Sequence, residues 1–235
     1  MTVVAEIQKK LAKLADPRRA IASQRFFKTG PGEYGEGDIF RGIRVPVLRR
    51  LSREYQAITL PEAEQLLRSS FHEDRLLALL LWVRLYSRGD RLMRRKIYSL
   101  YLKNARFINN WDLVDSSAEH VVGAFLWDKD RERLYQLAKS KNLWERRIAI
   151  IATFHFIKRG EFDETLKLAQ KLLSDGEDLI HKAVGWMLRE VGKRDQETQE
   201  RFLKENYRQM PRVTLRYAIE RFPNEKRQLY LKGQV

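Results

Sequence analysis

Apolar residues recur at intervals of three and four along almost the whole chain, the spacing of one face of a 3.6-residue helix. No stretch alternates apolar and polar positions as a half-buried strand would. The pattern predicts helices over residues 3–14, 17–28, 46–56, 61–69, 73–87, 90–104, 112–126, 129–139, 143–158, 162–174, 178–192, 196–206, 212–221 and 224–232. Breakers fall between them: Pro46, Pro61 and Pro211 stand where a proline suits a first helical turn, and Gly89-Asp90, Gly160 and Gly176 separate neighbouring elements. Lys28 to Asp38 is the one real loop and holds four of the chain's twelve glycines. It matches neither GxGxxG nor GxxxxGK[ST] and follows no strand, which argues against a nucleotide phosphate loop. A segment that tracks a polymer backbone and a plain connector both fit it.

The helices repeat. A basic residue followed by an apolar helix occurs at Arg75, Arg147, Lys182 and Arg216, at separations of 72, 35 and 34 residues, and Trp111 to Asp115 fills the long gap. Two-helix repeats of this length belong to the solenoid class, whose stacked helices suit long partners. Arg75 and Arg216, without aromatic or acidic neighbours on that facet, read as braces within their repeats.

Charge narrows the partner. The chain carries 46 Lys+Arg against 31 Asp+Glu, a formal +15, spread from end to end and not confined to a tail, while 43% of residues are hydrophobic and can fill a core. A polyanion is the leading partner, and a solvated basic surface is the plainer alternative. With no cysteine, disulfides, iron–sulfur clusters, thiolate zinc sites and a cysteine nucleophile are excluded. The four histidines, His72, His120, His155 and His181, lack metal-site spacing, so no metal is expected and each reads as a core or surface residue. The first ten residues read as an amphipathic helix and the longest apolar run, Leu76 to Val83, is too short to span a bilayer. The expectation is a soluble, intracellular (cytoplasmic, nucleoid-associated) monomer.

Against that background one constellation stands out. Trp111 and Asp115 are four residues apart and share a helix face, as do Lys182 and Trp186, and in repeat register Arg147 falls between the pairs. The set amounts to a basic wall, two aromatic plates and one carboxylate. A carboxylate kept ionised by a neighbouring cation stabilises positive charge developing on a sugar and orients water for attack. An alkylated purine already bears positive charge, so its glycosidic bond needs little acid assistance, and tryptophan faces suit such a cation. Each residue also has a structural reading. Trp111 and Trp186 suit a core as Trp82, Trp127 and Trp144 do, Asp112 suits a helix N-terminus, and Asp115 suits a salt bridge to Arg147.

The same segments resemble the AlkD-like DNA alkylation repair family. Phe40-Arg-Gly-Ile-Arg-Val-Pro46 looks like its N-terminal signature and Asn110-Trp-Asp-Leu-Val-Asp-Ser116 like its acidic motif. Asn142-Leu-Trp-Glu-Arg-Arg147 and Ile180-His-Lys-Ala-Val-Gly-Trp-Met-Leu-Arg-Glu190 resemble its later motifs. The resemblance covers most of the chain. It implies an all-α fold, a right-handed solenoid of HEAT-like two-helix repeats with a concave basic face, forming one domain over 1–235. It implies a monofunctional glycosylase of base excision repair that hydrolyses N3- and N7-alkylpurine bonds in double-stranded DNA without metal or cofactor. Asp115, Trp111, Trp186 and Arg147 match its catalytic positions, and Arg147, Lys182, Arg146, Phe26 and Arg44 its DNA-binding ones. Two other readings stay open, a non-catalytic DNA- or RNA-binding solenoid and a protein-binding scaffold.

Overall fold

The residues before each helix decide where it starts. In the computed structural model, which describes residues 2–235, packing contacts gather the helices into two units, one ending at Val121 and one running Val122–Val235. The first contains α1 (Val3–Lys13), α2 (Pro17–Phe26), α3 (Val45–Glu54), α4 (Leu60–Leu67), α5 (His72–Arg88), α6 (Arg91–Lys103) and the short α7 (Trp111–Asp115). Thr2, Asp16, Thr59 and Asp90 each accept a first-turn N–H of the helix that follows, satisfying a donor the helix leaves orphaned. Thr59 and Glu62 form a reciprocal capping box.

Helix α5 is the centre of this unit. Every residue from His72 to Trp82 is buried, and a helix enclosed on all sides belongs inside. Helices α3, α4, α6 and α7 pack around it. Its first turn, however, is His72-Glu73-Asp74-Arg75, and buried charges of this kind must find partners. They find them in the site described below.

The second unit contains α8 (Ala124–Leu126), α9 (Glu132–Ala138), α10 (Leu143–Ala152), α11 (Phe154–Ile157), α12 (Asp163–Leu172), α13 (Asp178–Gly192), α14 (Gln196–Asn206), α15 (Arg212–Ala218) and α16 (Asn224–Lys232). Here α13 is central, with α10, α11, α12, α14 and α15 against it. It crosses α15 closely at Gly185, where a Cβ would stand 2.6 Å from the Thr214 carbonyl oxygen. Only glycine permits that approach.

The chain is all-α, as the periodicity predicts, and among the described residues the one strand-like pairing is an isolated bridge between Ile39 and Phe71. Two predicted helices are broken. Residues 112–126 form α7, then a π-helical turn over Glu119–Gly123, then α8; residues 143–158 divide at Thr153 into α10 and α11. The breaks have a common cause, the close approach of Gly123 to α10, where a Cβ would lie 2.1 Å from the Ala152 carbonyl oxygen. The Thr153 hydroxyl bonds the Ile150 carbonyl at 2.7 Å at the same bend. Trp82 and Trp144 are buried as expected. Trp127 differs from its core reading: it is half-buried, with the Arg159 guanidinium 5.1 Å from its ring centre. No described helix is long and apolar enough to cross a membrane.

Candidate nucleic-acid site

Helix α7 is five residues long, too short to be stable by itself. Side chains fix it at both ends. Asn110 accepts the Trp111 N–H at 2.8 Å through its side-chain oxygen while its amide donates to Asp38 Oδ2 at 3.1 Å. At the other end the Ser117 hydroxyl lies 2.9 Å from the buried Tyr101 hydroxyl. Burial pushes the Tyr101 hydroxyl up, its bond to Ser117 opposes this, and the charge of Asp115 adds to the rise.

The first residue of α7 is Trp111, half-buried, and its ring belongs to an aromatic stack. It lies parallel to Phe27 at 5.2 Å and meets Phe26 edge-on at 5.9 Å. Phe27 stacks in turn on Phe40 at 5.0 Å, and Phe40 on His72 at 4.5 Å. Phe26 is 66% exposed, so the outer edge of the platform faces solvent. Asp115, the last residue of α7, is half-buried one helical turn beyond Trp111.

Beneath the platform lies a charge network. His72 Nδ1 is 3.1 Å from Asp38 Oδ2 and its Nε2 is 2.8 Å from Asp112 Oδ2. Asp38 also accepts from Arg75 at 2.6 Å and from Asn109 at 3.2 Å. Arg75 donates as well to the carbonyls of Ser69 and Ser70, which makes it a brace for the turn before α5. Burial alone would lower the imidazole, but the Asp112 charge and the bonds to both aspartates prevail and hold it at about 9. Burial would raise the Asp38 carboxyl, and its bonds to His72 and Asn110 with the Arg75 charge bring it below its ordinary value. Glu73 receives the backbone N–H groups of Arg41, Gly42 and Ile43, and Asp74 is paired to Arg41 at 2.7 Å. The exposed Arg44 lines a cleft of about 180 Å³ with Arg19, Phe27, His72 and Asp112.

In the second unit, α13 carries Lys182 and Trp186. Lys182 pairs with Asp178 at 3.1 Å. The Trp186 indole N–H donates to Glu190 at 3.2 Å, and its ring lies 5.8 Å from Phe154. Glu190 is buried; burial would raise its carboxyl, but Lys193, the indole and Arg194 together lower it. Arg147 is 4% exposed and donates to the Leu179 carbonyl. Arg146 points elsewhere, forming a two-pronged pair with Asp175 at 2.6 and 3.2 Å and donating to the carbonyls of Ser140 and Lys141. Its donors are occupied by Asp175 ahead of α13 and by the turn before α10, the geometry of a brace between them.

Sequence reasoning singled out Trp111, Asp115 and Phe26, which the first unit gathers around α7, and Arg146, Arg147, Lys182 and Trp186, which the second unit carries on α10 and α13. It missed Asp38, His72, Asn110 and Phe27. Glu190 was within reach of the pattern, four residues after Trp186. His72 was not, because its partners lie 34 and 40 positions away.

Residues 7–222 match the family described as DNA alkylation repair enzyme. No curated protein matches the sequence. A solved structure of a predicted DNA alkylation repair enzyme from Enterococcus faecalis aligns with a TM-score of 0.68 at 18% identity, covering 89% of this chain and 97% of that one. The structure of AlkD2 from Streptococcus mutans aligns with a TM-score of 0.57, also at 18% identity, over 94% of this chain and 97% of that one.

Proposed function

Because this chain belongs to the DNA alkylation repair enzyme family, we propose that it is a monofunctional glycosylase releasing N3- and N7-alkylated purines from double-stranded DNA. The observation that carries the reading is the pairing, on one short braced helix, of an aromatic platform at Trp111 with a carboxylate at Asp115 one turn away. Excess positive charge supports a polyanionic partner.

The chemistry follows from the substrate. As the glycosidic bond breaks, its electron pair passes to the cationic base and neutralises it, so the leaving group departs without a proton donor. Positive charge then develops on the deoxyribose. Asp115 stabilises that charge, orients the water whose oxygen bonds to C1′ and accepts the proton that water gives up. Trp111 with Phe26, and Trp186 held by Glu190, offer flat faces to the lesion strand. Lys182 and Arg44 serve the phosphates; Arg147, buried and donating to the Leu179 carbonyl, holds the first turn of α13, the helix that carries Lys182, and Arg146 is a brace to Asp175. The steps call on no metal or cofactor.

Duplex DNA containing 7-methylguanine, incubated with the protein and with Asp115→Asn, tests this through the released base measured by mass spectrometry. Release by the wild type and not by the variant is expected. Binding without release by either protein would leave a non-catalytic nucleic-acid binder.

A further inference from the structure

Both ring nitrogens of His72 face carboxylate oxygens, Asp38 Oδ2 at 3.1 Å and Asp112 Oδ2 at 2.8 Å. A neutral imidazole has one N–H, and its other nitrogen would present a lone pair to a carboxylate. Only the doubly protonated ring satisfies both. The two aspartates lie 74 positions apart in sequence, so the ring ties together three elements: the end of the glycine-rich segment, the start of α5 and the start of α7.

The two aspartates depend on the ring unequally. Asp38 has Arg75, Asn109 and Asn110 besides His72. Among the described residues the Asp112 carboxylate has only His72: its other oxygen, Oδ1, is buried and makes no hydrogen bond with them. A neutral ring keeps one N–H for the two carboxylates, so one of Asp38 and Asp112 then faces a lone pair and the bridge from the glycine-rich segment to the first turn of α7, directly beside Trp111, is cut. We propose that His72 is a positioning residue, an imidazolium clasp that fixes α7 and so places the Trp111 platform and Asp115 for reaction. The clasp opens when the ring loses a proton.

The charged surroundings agree. Facing the ring are Asp38 from the glycine-rich segment and Asp112 from α7. From its own helix, Arg75 opposes the charge, Glu73 is occupied by backbone N–H groups, and Asp74 is paired to Arg41. Arg19 and Arg44 line the adjoining cleft. Burial and Arg75 work against protonation, and the two carboxylates outweigh them, so that the ring holds its second proton up to about pH 9. The role also carries a signature: His72, Phe40, Phe27 and Trp111 form a continuous ring stack, so opening the clasp changes the surroundings of a fluorescent indole.

The role of the clasp in catalysis rests on the glycosylase reading, but the clasp itself is read without activity. Nitrogen-15 NMR of the four histidines, with His72 assigned through His72→Gln, is expected to show one ring doubly protonated at about pH 8 and titrating near the value above. Tryptophan emission should change over the same range in the wild type and in neither His72→Gln nor Trp111→Phe. Asp112→Asn, which keeps the histidine, should bring its titration back toward the ordinary range. Base release should fall along the same alkaline limb, and His72→Gln should lower kcat roughly tenfold or more while leaving KM within about twofold, as expected when only placement is lost. A singly protonated His72 at about pH 8, or an alkaline emission change that survives in His72→Gln, would overturn the clasp. If the protein releases no base, the glycosylase reading fails while the NMR and emission results still decide the clasp.

Discussion

Two tryptophans, Trp111 and Trp186, are each steadied by a buried acid–base group, and the two arrangements differ in what a substitution would do. Glu190 accepts the Trp186 indole N–H and is itself held by Lys193 and Arg194. Glu190→Ala leaves the half-buried indole N–H and those part-exposed cations without their acceptor, so we expect a loss of about 1 kcal/mol in urea unfolding with a shift in Trp186 emission. Unchanged stability and emission would mean the indole is held by packing against Phe154 alone. Arg146 gives the opposite contrast between structure and function. Its two-pronged pair with Asp175 and its carbonyl contacts predict that Arg146→Ala costs about 3 kcal/mol of stability while the salt dependence of DNA binding stays the same. A reduced salt slope would show instead that Arg146 contacts phosphate. From sequence, Arg147 falls in repeat register between the Trp111–Asp115 and Lys182–Trp186 pairs, and both it and Arg146 match DNA-binding positions of the family. That Arg146 is a brace shows only in the fold, because Asp175 lies 29 positions away.

At the scale of elements, apolar periodicity located the helices well and their interruptions poorly. Period counting registers which face of a helix is buried, and apolar residues continue through both the π-helical turn at Glu119–Gly123 and the bend at Thr153, so the breaks leave no gap in the pattern. What produces them is the approach of two backbones, visible only when Gly123 and Ala152 are placed in space. Gly123→Ala should therefore cost about 2 kcal/mol or more, read as a lowered melting temperature, because the added methyl meets a backbone oxygen at 2.1 Å. A neutral effect would show that the turn relaxes freely. The Trp111–Asp115 spacing was legible because both residues share one helix. The support beneath α7 was not, since Asp38, His72 and Phe27 reach it from elements far away in sequence. The glycine-rich segment, undecided from sequence, delivers Asp38 to that support.

For the whole molecule, the helical class and the basic balance were plain from composition and pattern, and both bear on measurable behaviour. Binding to duplex DNA should weaken by roughly 10³ or more between about 50 and 200 mM salt, as release of several counterions requires. Flat salt dependence would point to a protein partner. Stability should also vary with pH through His72. Its ordinary value is 6.5 and its folded value about 9, so folding tightens its hold on the proton. The contribution is complete below the ordinary value and disappears as pH rises through the folded one, amounting to about 3 kcal/mol. The lead of wild type over His72→Gln in unfolding free energy should shrink accordingly from neutral to alkaline pH, and a constant lead would assign the ring a packing role only.

The central claim is that Asp115 drives hydrolysis of an alkylpurine bond, and it is tested most directly by the single-turnover rate of 7-methylguanine release from duplex DNA, for wild type and Asp115→Asn, with duplex affinity measured on the same preparations. A rate reduced about 100-fold or more at similar affinity is predicted, the loss typical when a group stabilising transition-state charge is removed. Equal rates in the two proteins, or no release by the wild type while it binds the duplex, would contradict it.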